Sequence, residues 1–226
     1  MPPEVIDVLE EKIPDVDKAL EQLIVPIMDF KESLATILDL GSGSGNVSRA
    51  LSRRFPEANI YGIDYNEMAI ANAISTSKTQ GIKNVKFLTL NATSLPVEWT
   101  QKFDLVIMYD VLHDLPDPAS VMKEVYRVLK DDGVASINDP GLHSNHRDNV
   151  GNTNVAGAGY AISTVICLPC SLSADDTPGH GMGWGYENKE ALLTSSGWRV
   201  KDKRNIGSHM SLNFTCVKEQ RENYVI

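Results

Sequence analysis

Several polar residues stand where short apolar runs stop. Asp39 lies within Ile37-Leu38-Asp39-Leu40, which opens into Gly41-Ser42-Gly43-Ser44-Gly45-Asn46, and Asp64 closes Ile60-Tyr61-Gly62-Ile63. Asn91 closes Phe87-Leu88-Thr89-Leu90 in the same way. A glycine turn after a strand lets the backbone take positive φ and lets a ligand approach the main chain where a Cβ would collide. The spacing here is GxGxG, not the GxGxxG of dinucleotide sites. Asp39 sharpens the reading, because a carboxylate beside that turn repels a pyrophosphate and attracts an ammonium. A turn with no ligand is the alternative. An acid about 20 residues past the turn accepts ribose hydroxyls in nucleoside-binding folds, which suits Asp64. Its rival role, capping the helix that opens at Glu67, falls better to Asn66. The Asn91 amide can accept from an adenine amino group and donate to a ring nitrogen, or it can simply shape a turn.

The elements that would position these groups follow a βα rhythm, the pattern of a parallel sheet with helices on both faces. Strands are expected over Thr36–Leu40, Asn59–Ile63, Val85–Leu90, Phe103–Tyr109 and Gly133–Asn138, and helices near Asn46–Arg54, Glu67–Thr79 and Ala119–Leu129. Residues 140–185 break the rhythm and hold half of the chain's 16 glycines, so an insertion over the site is expected. A helix over Asn188–Ser195 and strands over Trp198–Arg204 and Met210–Val217 close the domain. Residues 1–35 carry helical spacing broken by prolines and read as two short helices, either a cap over the site or a packing extension. The expected division is thus 1–35 and 36–226.

Composition narrows the function classes. A 226-residue chain with 42% hydrophobic residues can bury one large α/β core. A net charge of -9 with no Lys/Arg cluster argues against a nucleic-acid partner. No apolar run reaches the roughly 18 residues that span a bilayer, so no membrane partner is expected. The three cysteines, Cys167, Cys170 and Cys216, have no framework spacing, and a reducing, cytoplasmic setting is the default. His143, His146 and His180 with Cys167 and Cys170 match no zinc spacing, and no metal is expected.

Together the glycine turn, Asp64 and Asn91 resemble the class I, Rossmann-like S-adenosylmethionine-dependent methyltransferases, from about Leu34 to Asn138. The resemblance implies a doubly wound, mostly parallel seven-stranded sheet. It also implies S-adenosylmethionine as cofactor, held by Asp39, Gly41, Ser42, Gly43, Asp64, Tyr65, Met68, Asn91, Ala92 and Asp110. The family usually has Asp where this chain has Asn91. His113-Asp114-Leu115-Pro116-Asp117 is similar to the His-Asp-Trp-x-Asp signature of small-molecule O-methyltransferases, with Leu115 in place of tryptophan. That likeness implies His113 as general base and Asp139 as the acid that orients it. The chemistry is consistent, since a hydroxyl is a poor nucleophile until its proton leaves and positioned proton transfer is worth roughly 10²–10⁴-fold. The alternative leaves His113 bonding its own loop and Asp139 shaping the turn before Pro140.

Tyr160 to Thr164, Cys167, Ser171, Leu172 and the run Gly179 to Gly185 look like a poorly characterised branch of the same enzymes. That branch often carries an N-terminal winged helix, and 35 residues are too few for one, so the chain either lacks it or is a truncated form. In the branch the insertion covers the crevice, which makes Tyr160, His180 and Trp184 candidate acceptor contacts; Trp184 can equally be a packing anchor. The expected activity is O-methylation of a small hydroxylated molecule. An amine or protein acceptor, or a catalytically silent cofactor-binding module, are the rivals.

Overall fold

A computed structural model describes residues 16–29, 31–206 and 211–219. The first of the two expected N-terminal helices, and Met210 of the last expected strand, lie outside the described residues. Seven strands form one sheet in the order β3-β2-β1-β4-β5-β7-β6. They are β1 (Thr36–Leu40), β2 (Asn59–Asp64), β3 (Val85–Thr89), β4 (Phe103–Tyr109), β5 (Leu129–Pro140), β6 (Trp198–Asn205) and β7 (Ser211–Lys218). The first five pair in parallel, and β7 lies antiparallel between β5 and β6.

Parallel strands bury both faces, so the alternating residues of β1 and β4 are apolar on each side. Leu38, Leu40, Val106 and Met108 join Val125, Val128, Leu193, Trp198 and Phe214 in the larger core. Ile37, Leu105 and Ile107 face the other way, onto Val47, Ala50 and Leu51 of α2 (Asn46–Arg54). Leu20, Ile24 and Ile27 of α1 (Val16–Met28) pack into that second cluster, so this helix covers a sheet face.

Local sequence explains the helix ends. Asn66 caps α3 (Glu67–Thr79) by accepting from the backbone N–H groups of Met68 and Ala69. Asp117 accepts from Ser120 N and Pro118 takes the first turn, so α4 runs Pro118–Val128, one residue earlier than its expected span at each end. Strand β5 starts four residues before the expected Gly133, because Leu129 already pairs with Phe103 and the ladder then bulges before Val134 meets Leu105.

Sheet order reverses between β1 and β4, where the chain leaves in opposite directions. Ligands of open α/β sheets bind beyond the C-terminal strand ends at such a point. The insertion folds over this end as a 3-10 turn (His146–Asn152), α5 (Thr153–Val165), α6 (Cys167–Ser171) and a second 3-10 turn (Met182–Trp184), followed by α7 (Tyr186–Ser195). Among the described residues no helix is long and apolar enough to cross a membrane.

Candidate active site

The β1 and β2 ends carry the first half of the site. Asp39 is 1% exposed and accepts from Ser48 Oγ at 2.5 Å. Gly41 N and Ser42 N donate to Ile63 O at 2.8 and 2.9 Å, which docks the glycine turn on β2. Gly41 has φ 76°, and a Cβ there would come within 2.5 Å of Val111 Cγ2. The space that the sequence reserves at Gly41 is therefore filled by Val111, and the glycine turn packs directly on the segment that carries His113. Ser42 Oγ is buried and has no protein partner among the described residues. A buried hydroxyl left unpaired is a position that a ligand's polar group satisfies.

Asp64 is clamped in place: Oδ2 accepts from Gly43 N and Oδ1 from Asn66 N, both at 2.9 Å. An ionised carboxylate has about four acceptor positions, so these two bonds fix its direction without exhausting it. Tyr65 and Met68 stand exposed beside it. Asn91 Oδ1 accepts from Thr93 N and Thr93 Oγ1, each at 2.9 Å. Its carbonyl is thus committed to a local turn, and the NH₂ group is the part of this amide turned to other work. The unpartnered Ser42 hydroxyl and the two fixed carboxylates suit a cationic amino acid joined to a nucleoside.

The second half is built where β4 and β5 end. Asp110 takes φ 60°, donates its backbone N–H to Asn138 O at 2.7 Å and leaves its side chain 63% exposed. Asp is one of the few residues that tolerate this left-handed conformation. The chain then turns through Leu112–Asp114 and buries His113 to 1%. His113 Nδ1 lies 2.9 Å from Asp139 Oδ1, and Nε2 lies 3.1 Å from Asp114 Oδ1. Burial disfavours the imidazolium, but the Asp139 carboxylate more than offsets it, so the His113 pKa rises well above the ordinary 6.5. Burial pushes the Asp114 carboxyl up, and His113 only partly opposes it.

Asp139 behaves differently although it is as deeply buried. Desolvation alone would raise its pKa, yet the charge of Lys189, followed by that of His113, carries it below the ordinary carboxylate value. Lys189 Nζ sits 2.5 Å from Asp139 Oδ2, both side chains fully enclosed. Sequence reasoning missed this lysine. The available signal was its place on the face Tyr186, Lys189, Leu193, where a positive charge interrupts the buried stripe of a helix.

Residues of the 140–185 segment reach the same corner. Gly181 N donates to His113 O at 3.0 Å, and Cys167 Sγ interacts with His113. His180 stacks on Trp184 with ring centroids 3.9 Å apart, and burial lowers the His180 pKa, which favours the neutral ring. Trp184 also packs against the larger core. Tyr160 belongs to a separate cluster: its hydroxyl meets Asn149 Nδ2 at 2.8 Å and His146 Nδ1 at 3.0 Å. His113, Asp114 and Cys167 bring ligand-type atoms within 4.8 Å of one another. Asp110, His113 and Asp139 do the same on the other side of the ring.

Residues 31–191, most of the chain, match the methyltransferase domain family. A ubiquinone biosynthesis O-methyltransferase of Pseudomonas entomophila (strain L48) is 34% identical over 116 residues, covering 50% of this chain and 49% of that protein. A demethylmenaquinone methyltransferase of Lactococcus lactis subsp. lactis (strain IL1403) is 37% identical over 99 residues, 43% of this chain and 39% of that protein. The chain therefore spans about half the length, or less, of these curated relatives. The crystal structure of a SAM-dependent methyltransferase from Aquifex aeolicus superposes with a TM-score of 0.68 at 19% identity, over 96% of this chain and 98% of that one, a likeness of fold. With the sheet order, the glycine turn and the family match in agreement, the chain belongs to the methyltransferase domain family, and S-adenosylmethionine is the cofactor of this Rossmann-like fold.

Proposed function

We propose that this protein transfers a methyl group from S-adenosylmethionine to the hydroxyl of a small aromatic molecule, with His113 as general base and Asp139 as the residue that orients it. The observation that carries the reading is the 2.9 Å contact between His113 Nδ1 and Asp139 Oδ1, buried where β4 and β5 end beside the glycine turn. Asp139 on Nδ1 directs Nε2 as the nitrogen that exchanges a proton. Asp114 shares that nitrogen in this structure, so an acceptor hydroxyl would take the place of Asp114 Oδ1. The named activities of the relatives, ubiquinone biosynthesis O-methylation and demethylmenaquinone methylation, support a small cyclic acceptor. So does the stacked His180–Trp184 pair, a flat surface bonded through Gly181 to the His113 turn.

Bound at the β1 and β2 ends, the cofactor supplies an electrophilic methyl on a sulfonium. Asp64 would hold the ribose hydroxyls, with Tyr65 and Met68 flanking the nucleoside and Asn91 and Ala92 at the base. Asp39, Ser42 and the turn Gly41 to Gly43 would hold the methionyl end, and Asp110 the mouth between the two halves. Holding methyl and hydroxyl in line supplies the rest of the acceleration. A panel of catechols, monophenols and aryl amines, assayed with methyl-labelled S-adenosylmethionine, tests the acceptor class. Label on oxygen supports the proposal, and label only on nitrogen or on protein side chains overturns it.

A further inference from the structure

Lys189 is 0% exposed, and a lysine so placed needs a reason, because an ammonium out of water is costly unless it is paired and hydrogen-bonded. It has two partners: Asp139 Oδ2 at 2.5 Å and the Pro140 carbonyl, to which Nζ donates at 2.8 Å. Its helix is fixed to the same segment of chain. Tyr186 N donates to Leu142 O at 2.8 Å, and Glu187 accepts from Ser144 N at 2.7 Å while its other oxygen lies 2.8 Å from His143 Nδ1. Gly185, at φ 81°, lets the backbone pass Ser144, where a Cβ would lie 2.2 Å from Ser144 Cα. The start of α7 is thereby clasped to the residues just after β5, and Lys189 is aimed at the end of that strand.

We propose that Lys189 is a positioning residue of this site: its ammonium holds the second oxygen of Asp139, fixes the carboxylate against His113 Nδ1 and keeps the imidazole able to release its proton. The inference rests on the reading of His113 as base. The charges around the ring explain why a cation is needed. Asp110 and Asp114 face it from its own segment and Asp139 from β5, three carboxylates among the described residues. Cys167 and Cys170 on α6 stay neutral, since burial raises both thiol pKa values. Among the described residues Lys189 is the cation that faces this group, and it also favours the neutral form of His180. Without it, Asp139 would have no second partner, would hold the imidazolium more tightly still, and would move the ring's proton release to higher pH.

The test is a pH titration of the His113 ring by NMR on ¹³Cε1-histidine protein, assigned against His113→Gln, together with the pH profile of methyl transfer. In Lys189→Met the His113 midpoint moves to higher pH, and the acid limb of turnover moves with it. Lys189→Arg keeps the wild-type midpoint. Because removing one buried charge can impair folding, the pair Asp139→Asn with Lys189→Met, which removes both, is the second variant. In the Asp139→Asn background, Lys189→Met produces no further shift. An unmoved or lowered His113 midpoint in Lys189→Met, or the same shift with and without Asp139, overturns the proposal. The NMR midpoints need no acceptor. An acid limb that ignores the His113 midpoint in the wild-type protein would count against the base assignment alone.

Discussion

Two buried aspartates on neighbouring strands serve opposite ends of the sheet. Asp104, at the start of β4, meets Lys130 at 2.8 Å and Lys31 at 3.2 Å, and it accepts from the backbone N–H groups of Ala35 and Thr36 and from Thr36 Oγ1. Asp139, at the end of β5, meets Lys189 and His113. Both pKa values fall below the ordinary carboxylate range, each because its cationic and hydrogen-bonding partners outweigh the cost of burial. The difference lies in the partners. Two lysines, two backbone amides and a hydroxyl hold Asp104, and that carboxylate ties the entry into β1 to β4. One group on Asp139 is a histidine, so the same kind of pairing can change its protonation during a reaction.

The largest effect that would test this contrast is on turnover. Asp139→Asn should lower kcat by roughly 10²–10⁴-fold, because it removes the group that sets the ring's tautomer, while calorimetry finds S-adenosylhomocysteine binding unchanged. Asp104→Asn should do the reverse. Urea unfolding should show a loss of about 3 kcal/mol, since two lysines and a strand entry lose their common partner, with turnover per folded molecule unaltered. A turnover loss in Asp104→Asn as large as in Asp139→Asn would erase the distinction.

Asp64→Ala sharpens a second boundary, between cofactor holding and chemistry. It should weaken S-adenosylhomocysteine binding by about 10- to 100-fold, the worth of hydrogen bonds to a charged group, and calorimetry measures it. The smallest effect is in stability against pH. Asp104, with a depressed pKa, stabilises the fold above its unfolded value, and that contribution fades as acid brings the pH down through the folded value. His113, with a raised pKa, stabilises the fold below its unfolded value, and its contribution fades as the pH rises from about 6.5 through the folded value. Thermal melts of His113→Gln should therefore lose the alkaline fall and keep the acid one.

Much of this was legible in the chain of residues. The helices Asn46–Arg54 and Glu67–Thr79 and the strands Thr36–Leu40 and Phe103–Tyr109 have the bounds that period and capping suggest. Their signals are local: an Asn cap, a glycine turn, a β-branched run. The seven-stranded order agrees with the family resemblance, and spacing alone could not have given it. What was not legible depends on contacts between distant segments. Val111 filling the space over Gly41 arises from how a segment 70 residues further along folds back. Lys189 lies 50 residues beyond Asp139, and the bonds of Tyr186 and Glu187 to Leu142 and Ser144 bring the two together.

The most direct test of the central claim is single-turnover methyl transfer by His113→Gln, at saturating labelled S-adenosylmethionine and with an acceptor identified for the wild-type protein. The account predicts unchanged cofactor affinity and a rate lower by roughly 10²–10⁴-fold, lost across the whole pH range. A variant that transfers methyl groups at the wild-type rate would contradict it.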